Sequence, residues 1–205
     1  MIARSGPWQT RTVTQWTLIV PVKGTASAKS RLGGSNGALA RAIALDTVDA
    51  AVGAAGVAQV IVVTTVDAAS DFVDLGARVV IDTAGGLVAA IELGLAEAAR
   101  DAGTAVLLGD VPGLRPDELA AALEAATAHP LSFVADADET GTVLVTARPG
   151  VRHELRFGAG SRDGHAAAGY VELRGDWPGL RRDVDLPEHL RSDLLGRRTR
   201  DALGS

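Results

Sequence analysis

The run Trp16-Thr17-Leu18-Ile19-Val20-Pro21-Val22 is short, almost wholly apolar and rich in β-branched residues, and it closes on a proline followed by one valine. A continuous apolar run of this kind is typical of a strand that is buried on both faces. Similar runs recur at Val57–Thr64 and at residues 104–108. These three runs predict the central strands of a sheet that is covered by other elements on each side.

Helical patterns alternate with the strand patterns. The first helix is predicted to begin near Asn36, because Leu39, Ile43, Val48 and Val52 recur at helical spacing. The remaining predictions are a helical turn at 68–75, a strand at Arg78–Ile81, helices at 85–100 and 115–127, strands at Leu131–Ala135 and 142–146, a loop over 151–156, a helix at 162–168, a strand over 180–184 and a helix over 188–203. This alternation predicts an α/β fold, a three-layer αβα sandwich with a mostly parallel mixed sheet, with ligands at the carboxyl ends of its strands.

Composition limits the class of protein. The chain has 205 residues, of which 47% are hydrophobic, enough for one globular domain over residues 15–203 after a flexible tail over 1–14. Its apolar runs are far shorter than the roughly 20 residues of a membrane-spanning helix. The first residues show no secretory pattern, so we expect a cytoplasmic protein that does not associate with membranes.

Charge and cysteine content exclude further classes. The net charge of -5 argues against a general nucleic-acid binder, because affinity for a phosphate backbone needs a basic surface. The absence of cysteine excludes disulfides, thiolate zinc sites and cysteine nucleophiles. Any phosphate-binding site must therefore be a small basic region on a protein whose net charge is negative.

A basic loop is predicted over residues 23–35, between the first strand and the first helix. It contains Lys23 and Lys29, the two lysines of the chain, together with Arg31. Such a loop suits a nucleoside triphosphate, because backbone N–H groups and cations converge there. The loop is not a P-loop, since Ala28 precedes Lys29 and the glycine spacing is one residue short. Two surface lysines that are close in the sequence by chance remain the alternative.

Carboxylates follow two predicted strands. Asp110 comes directly after a buried strand, within Gly109-Asp110-Val111-Pro112. Asp183 and Asp185 are two residues apart and would share one face if they lay on a strand. Carboxylate oxygens of this kind suit magnesium, which binds a few carboxylates together with substrate phosphates. An aspartate that starts a turn, and a pair of solvated charges, are the alternatives.

Two glycine-hydroxyl segments are weaker candidates for a small-anion site. They are Thr140-Gly141-Thr142 and Phe157-Gly158-Ala159-Gly160-Ser161, each of which can expose backbone donors. The four histidines show no zinc spacing, and His153 and His165 are too isolated to be assigned as ligands. A nucleophile elbow of the form G-x-S-x-G is absent.

Taken together, these segments resemble the guanylyltransferases that activate phosphoenolpyruvate or 2-phospho-L-lactate in the biosynthesis of coenzyme F-420. The resemblance spans most of residues 16–185. It rests on Val20-Pro21-Val22-Lys23, Ala28-Lys29-Ser30-Arg31-Leu32, Gly109-Asp110-Val111-Pro112, Phe157-Gly158-Ala159-Gly160-Ser161 with His165, and Asp183-Val184-Asp185. It implies a glycosyltransferase-A-like nucleotidyltransferase fold.

The resemblance also implies the roles of individual residues. Lys23, Lys29 and Arg31 would be catalytic and hold the triphosphate. The other implied sets are magnesium ligands at Asp110, Asp183 and Asp185, an acceptor-acid site at Thr142, Gly158 and Ser161, and nucleotide contacts at Val22, Lys23, Lys29, Gly86 and Asp110. Gly85-Gly86-Leu87 resembles the loop beside the base, but Val88 stands where the family has asparagine.

The implied reaction transfers GMP from GTP to a phosphorylated three-carbon acid and releases pyrophosphate. The arginine-rich composition suggests a bacterial source and so favours phosphoenolpyruvate over 2-phospho-L-lactate as the acceptor. A downstream transferase would consume the product. Two other hypotheses stay open: a nucleotidyltransferase for another phosphorylated acceptor, and a catalytically silent nucleotide-binding protein.

Overall fold

The computed structural model describes residues 14–22, 37–83, 85–99, 101–184, 189–190 and 193–204. The strands of this part of the chain are β1 Trp16–Pro21, β2 Val57–Thr64, β3 Arg78–Ile81, β4 Gly103–Leu107, β5 Leu131–Ala135, β6 Thr142–Ala147 and β7 Val171–Glu172. The helices are α1 Gly37–Val52, α2 Ala69–Asp74, α3 Leu87–Ala96, α4 Pro116–Ala126, α5 Ser161–Ala167, α6 Pro178–Arg181 and α7 Arg197–Leu203, with a 3-10 turn at Val66–Ala68.

The strands form one mixed sheet in the order β3-β2-β1-β4-β6-β5-β7. Strands β1 to β4 pair in parallel, while β6 is antiparallel to both β4 and β5. Strand β7 pairs in parallel with β5 and therefore points in the common direction. The carboxyl ends of β1, β2, β3 and β4 consequently meet at one edge of the sheet, where α/β proteins bind ligands.

Side chains alternate between the two faces of the sheet and enter two separate cores. In β1, Leu18 and Val20 pack with α1 and α4 on one face, whereas Ile19 packs with α3 on the other. All three side chains are fully buried. Helices on both faces of a mostly parallel sheet confirm the predicted three-layer sandwich.

Some of the sequence predictions for helices and strands need correction. Helix α3 begins two residues later than the predicted 85–100, because Gly86 has a φ of 98° that a right-handed helix excludes, and it ends at Ala96. The helix predicted over 188–203 begins only at Arg197. The short strand β7 was not predicted, since two residues carry no periodic signal. The tail over 1–14, apart from residue 14, and the loop over 23–35 lie outside the described residues.

Within the described ranges, no helix combines the length and the apolar character needed to cross a bilayer.

Candidate active site

The end of β4 lies against the segment that carries Asp183. The backbone N–H of Val184 donates a 2.9 Å hydrogen bond to the carbonyl oxygen of Asp110. Asp110 and Asp183 are both half-buried, and the carboxylate oxygen Oδ1 of Asp110 is buried. The structure therefore brings together the two segments that carry these predicted metal ligands. Asp185, the third predicted ligand, lies outside the described residues.

The strand predicted over 180–184 is wrong. Pro178 begins the short helix α6 instead, and residues 182–184 follow it without regular structure. The cause is a contact distant in sequence: the buried carboxylate of Glu118 on α4 accepts hydrogen bonds from Gly179 N–H at 3.2 Å and Leu180 N–H at 2.9 Å. A Cβ atom at position 179 would collide with the carbonyl oxygen of Gly113, so this helix fits only with glycine there.

The end of β1 lies beside the end of β4. A Cβ atom on Gly109 would stand 3.1 Å from both the carbonyl oxygen of Pro21 and Cγ2 of Val22. Val22 also donates a 2.8 Å backbone hydrogen bond to Val63 at the end of β2. Val22 and Asp110 thus share one edge of the sheet, as predicted. Lys23, Lys29 and Arg31, which follow Val22, lie outside the described residues.

The ends of β2 and β3 form the next part of this edge. Asp82 donates a 2.8 Å backbone hydrogen bond to Thr64, and its Oδ1 accepts one of 3.2 Å from the N–H of Gly85. Gly85 and Gly86 both have positive φ and lead into α3, where Val88 is 38% exposed. Sequence reasoning missed Thr64 and Thr65, whose buried hydroxyls have no hydrogen-bond partner among the described residues.

The three predicted acceptor residues lie close together. The hydroxyl of Thr142 is 3.0 Å from Nδ1 of His165 on α5, and α5 begins at Ser161. The N–H of Ser161 donates a 3.1 Å hydrogen bond to the carbonyl of Gly158. Thr142 and Ser161 are buried, whereas Gly158 is exposed. The structure thus places Thr142, Gly158 and Ser161 in one cluster, while their role stays a prediction.

Arg181 connects this cluster to the segment of Asp183. Its guanidinium donates to the carbonyl oxygens of Ala135 at 3.2 Å and Asp136 at 2.9 Å. The carboxylate of Asp136 in turn accepts the backbone N–H groups of Thr140 at 2.9 Å and of Gly141. The turn before Thr142 is therefore fastened to the last residue of α6. Sequence reasoning missed Arg181 and Asp136, because their partners depend on the packing of distant segments.

His153 and His165 each hydrogen-bond to neighbouring residues through both ring nitrogens. Burial lowers the pKa of each to about 4, against the weaker opposing effect of hydrogen bonds near Thr104 and Ser161 respectively. Both rings are therefore neutral near pH 7. The part of the chain that the structure describes contains no group of three or more acidic or histidine side chains placed to share a metal.

Comparison with known proteins identifies the family of this fold and site. The model of the MobA-like NTP transferase domain matches residues 30–182. A phosphoenolpyruvate guanylyltransferase from Salinispora arenicola is 48% identical over 180 residues, which cover 83% of each chain. The protein of the same name from Streptomyces coelicolor is 48% identical over 191 residues, which cover 88% of this chain and 90% of that protein.

Solved structures show the same fold. Rv0371c from Mycobacterium tuberculosis aligns with a TM-score of 0.61 at 24% identity, covering 88% of this chain and 97% of that chain. The structure of Rv0371c in complex with manganese aligns with a TM-score of 0.59 at 25% identity, covering 90% and 99%. The resemblance drawn from the sequence motifs and the glycosyltransferase-A-like fold are both confirmed. The chain belongs to the MobA-like NTP transferase family and, within it, to the phosphoenolpyruvate guanylyltransferases.

Proposed function

We propose that this chain transfers GMP from GTP to the phosphate of phosphoenolpyruvate and releases pyrophosphate. The product, enolpyruvyl-diphospho-guanosine, would serve the biosynthesis of coenzyme F-420. Relatives that are 48% identical over most of both chains carry the name of this activity, which supports the choice of substrates. The structural observation that carries the proposal is the Val184–Asp110 hydrogen bond, which joins two carboxylate-bearing segments at the ligand edge of the sheet.

The carboxylates of this edge fit a divalent cation. Asp110 and Asp183 offer hard oxygen ligands, and Asp185 would add a third. Magnesium is the cation we propose, with these three aspartates as its protein ligands. When bound, it would neutralise charge on the nucleotide phosphates.

The basic loop would receive the triphosphate. Lys23 directly follows Val22, and Lys29 and Arg31 come later in the same segment of the sequence. The side chain of Val22 lies beside Gly109, just after the end of β4. Bound to the triphosphate, their cations would oppose the charge that develops on the departing pyrophosphate. Gly86 would lie on the base side of the nucleotide, at the end of the sheet where the hydroxyls of Thr64 and Thr65 are buried.

The proposed reaction mainly requires that the protein align the acceptor phosphate with the α-phosphorus of GTP. A phosphate oxygen of the acceptor forms a bond to the α-phosphorus of GTP. The bond from that phosphorus to the bridging oxygen of the β-phosphate breaks, and its electron pair leaves with pyrophosphate. Because the acceptor phosphate is already ionised, no strong general base is needed, and rate enhancement comes from positioning and charge neutralisation.

The acceptor acid would bind at Thr142, Gly158 and Ser161. Its phosphate and carboxylate groups are hydrogen-bond acceptors when ionised, so a fitting site must present donors. Hydroxyls of Thr142 and Ser161 provide donors, and Gly158 keeps side-chain atoms away from the approach. Arg181 holds the turn before Thr142 to the segment of Asp183, which couples the acceptor position to the proposed cation position.

The test is pyrophosphate release from GTP with magnesium, with and without phosphoenolpyruvate. Parallel reactions replace phosphoenolpyruvate by 2-phospho-L-lactate and GTP by ATP. We expect release that requires GTP and phosphoenolpyruvate together. Release only with 2-phospho-L-lactate would correct the acceptor, and no release with either acid would leave a nucleotidyltransferase for another acceptor or a silent nucleotide-binding protein.

A matched pair of variants tests the acceptor site. Thr142→Val removes the hydroxyl proposed to contact the acid and should raise the KM for phosphoenolpyruvate by about tenfold, the scale of one lost hydrogen bond to a charged group. Thr146→Val removes another buried hydroxyl of β6, which pairs with Ser132 at 2.6 Å. This control should leave that KM unchanged. Equal effects of the two variants would contradict the acceptor assignment.

A further inference from the structure

His165 lies at the centre of a buried aromatic cluster. It is fully buried, and its ring packs edge-on against Phe157 at 5.0 Å and Tyr170 at 5.2 Å between ring centroids. A third ring, Phe133, lies 6.1 Å away. Tight packing on several sides gives the imidazole one orientation. Each of its two nitrogens therefore meets a defined partner.

The partner of Nε2 determines where the ring carries its proton. The backbone N–H of Arg156 donates a 3.0 Å hydrogen bond to Nε2. A backbone amide can only donate, so Nε2 must present its lone pair. Because burial keeps the ring neutral near pH 7, its one proton lies on Nδ1.

The tautomer in turn sets the direction of the bond to Thr142. Nδ1 is 3.0 Å from the hydroxyl oxygen of Thr142, so the ring donates and the hydroxyl accepts. A threonine hydroxyl has one hydrogen of its own. That hydrogen is not used by His165, and it has no other acceptor among the described residues. It remains available for an incoming oxygen.

The same ring joins all three segments of the acceptor cluster. Thr142 is the first residue of β6, and Ser161 precedes His165 by one helical turn on α5. Gly158 follows Arg156 by two residues and accepts the N–H of Ser161. One neutral imidazole thus ties the strand, the helix and the glycine loop into a single unit.

We propose that His165 is a positioning residue for the acceptor acid, which orients the Thr142 hydroxyl as a donor toward an anionic oxygen of that acid. The proposal rests on the proposed function of the cluster. In the reverse arrangement Thr142 would donate to the ring. Its hydroxyl lone pairs would then face the oxygens of the acid, which are themselves hydrogen-bond acceptors. An ionised phosphate or carboxylate would then be repelled rather than bound.

Two substitutions separate the roles of the two nitrogens. In His165→Asn the side-chain amide nitrogen can occupy the place of Nδ1 and still donate to Thr142. In His165→Gln the amide oxygen can occupy the place of Nε2 and still accept from Arg156, but the donor to Thr142 is lost. We expect the glutamine variant to raise the KM for phosphoenolpyruvate by about tenfold. The asparagine variant should recover most of that loss, and the KM for GTP should stay constant in both.

His153→Gln is the matched control. His153 belongs to the same cluster and bonds to Tyr170 at 3.1 Å and Thr104 at 3.0 Å, without contact to Thr142. It should lower the melting temperature without raising the KM for phosphoenolpyruvate. If the two His165 variants raise this KM equally, or if the KM for GTP rises with it, His165 acts only through stability and the proposal is overturned.

A spectroscopic measurement separates this proposal from the proposed function. Nitrogen-15 NMR of the histidine rings in the wild-type protein without ligand should show Nδ1 of His165 protonated and Nε2 unprotonated, assigned by comparison with His165→Asn. A proton on Nε2 would overturn the proposal even if the enzyme is active. Failure of the wild-type protein to use either acid would overturn the proposed function, while the tautomer is still read from the spectrum.

Discussion

Glu118 accepts a hydrogen bond of 2.9 Å from the backbone N–H of Leu180, across 62 positions of sequence. Glu118 is only 8% exposed, and its carboxylate also accepts a hydrogen bond from the backbone N–H of Gly179. This contact starts helix α6, which leads directly to Asp183. The position of a proposed metal ligand is therefore decided by a helix on one face of the sheet rather than by its own segment.

Glu118→Ala should destabilise the protein and impair catalysis together. It leaves two buried N–H groups without an acceptor, which costs about 1–3 kcal/mol each in such positions. We expect the free energy of unfolding in urea to fall by about 2 kcal/mol or more, and kcat to fall because the segment of Asp183 loses its anchor. Glu92→Ala, an exposed glutamate on α3, is the control and should change neither quantity. An unchanged urea midpoint for Glu118→Ala would contradict the anchoring role.

Asp110→Asn and Asp183→Asn should each reduce kcat by roughly 100-fold or more, equivalent to about 2.7 kcal/mol of lost transition-state stabilisation. The substitution keeps the shape of each side chain but removes the charge that attracts a cation. Pyrophosphate release measured over a range of magnesium concentrations gives the effect, and circular dichroism checks the fold. Asp101→Asn is the matched control, because Asp101 is exposed before β4 at the opposite edge of the sheet. Near-normal turnover in both variants would refute the metal assignment.

Asp46 holds the last helix in place. Its carboxylate accepts the N–H and the hydroxyl of Thr199, each at 2.8 Å, and it is 8% exposed. Helix α7 has no capping side chain of its own, so Asp46 on α1 supplies the cap from a distant segment. Asp46→Ala should lower the free energy of unfolding by about 2 kcal/mol. Thr199→Val should cost less, because it removes only the hydroxyl bond.

Hydrogen exchange would locate that effect. Amides of α7 should lose protection in Asp46→Ala, while amides of β1 and β4 keep theirs up to the limit set by global stability. Uniform loss of protection along the chain would show instead that α7 unfolds only with the whole molecule.

Stability should fall at mildly acidic pH because of two histidines, the half-buried His153 and the buried His165. Burial lowers the pKa of His153 and His165 to about 4 from an ordinary value of 6.5. Between these values the unfolded chain binds more protons than the folded one, so the free energy of unfolding rises with pH. The contribution is complete above about pH 6.5 and is lost as the pH falls toward about 4.

Urea denaturation at a series of pH values measures this dependence. In the wild-type protein the slope should be positive across the window from about pH 4 to about pH 6.5. His153→Gln and His165→Asn should each flatten the slope, because each removes one group that titrates differently in the two states. A slope that neither variant changes would assign the acid sensitivity to other groups.

Most strands and the first helices could be predicted, because their signals are local. The apolar runs at β1, β2 and β4 are nearly continuous, and a strand buried on both faces needs no more than that. Glycine and hydroxyl motifs marked the two segments of the acceptor cluster, and the family resemblance supplied its three residues, whose role stays a prediction. Their grouping in space follows from the pairing of β5 with β6 and from the bond between Thr142 and His165.

The failures share one physical cause. The apolar residues Leu180 and Val184 suggested a strand over 180–184, but the buried carboxylate of Glu118 accepts the N–H groups of Gly179 and Leu180 and so favours a helical turn. Isolated histidines gave no signal, although His165 joins three parts of the cluster. Asp46 and Arg181 likewise have partners more than 40 positions away.

The sequence by itself determined the α/β class, six of the seven strands of the sheet, the family and the residue types available for phosphate and cation. Those properties depend on hydrophobic periodicity and on motifs read over a few positions. Only the tertiary structure decided that Val184 bonds to Asp110, that Arg181 holds the turn before Thr142, and which tautomer His165 adopts. Each of these depends on a buried polar group, which must find its hydrogen-bond partner wherever packing places one.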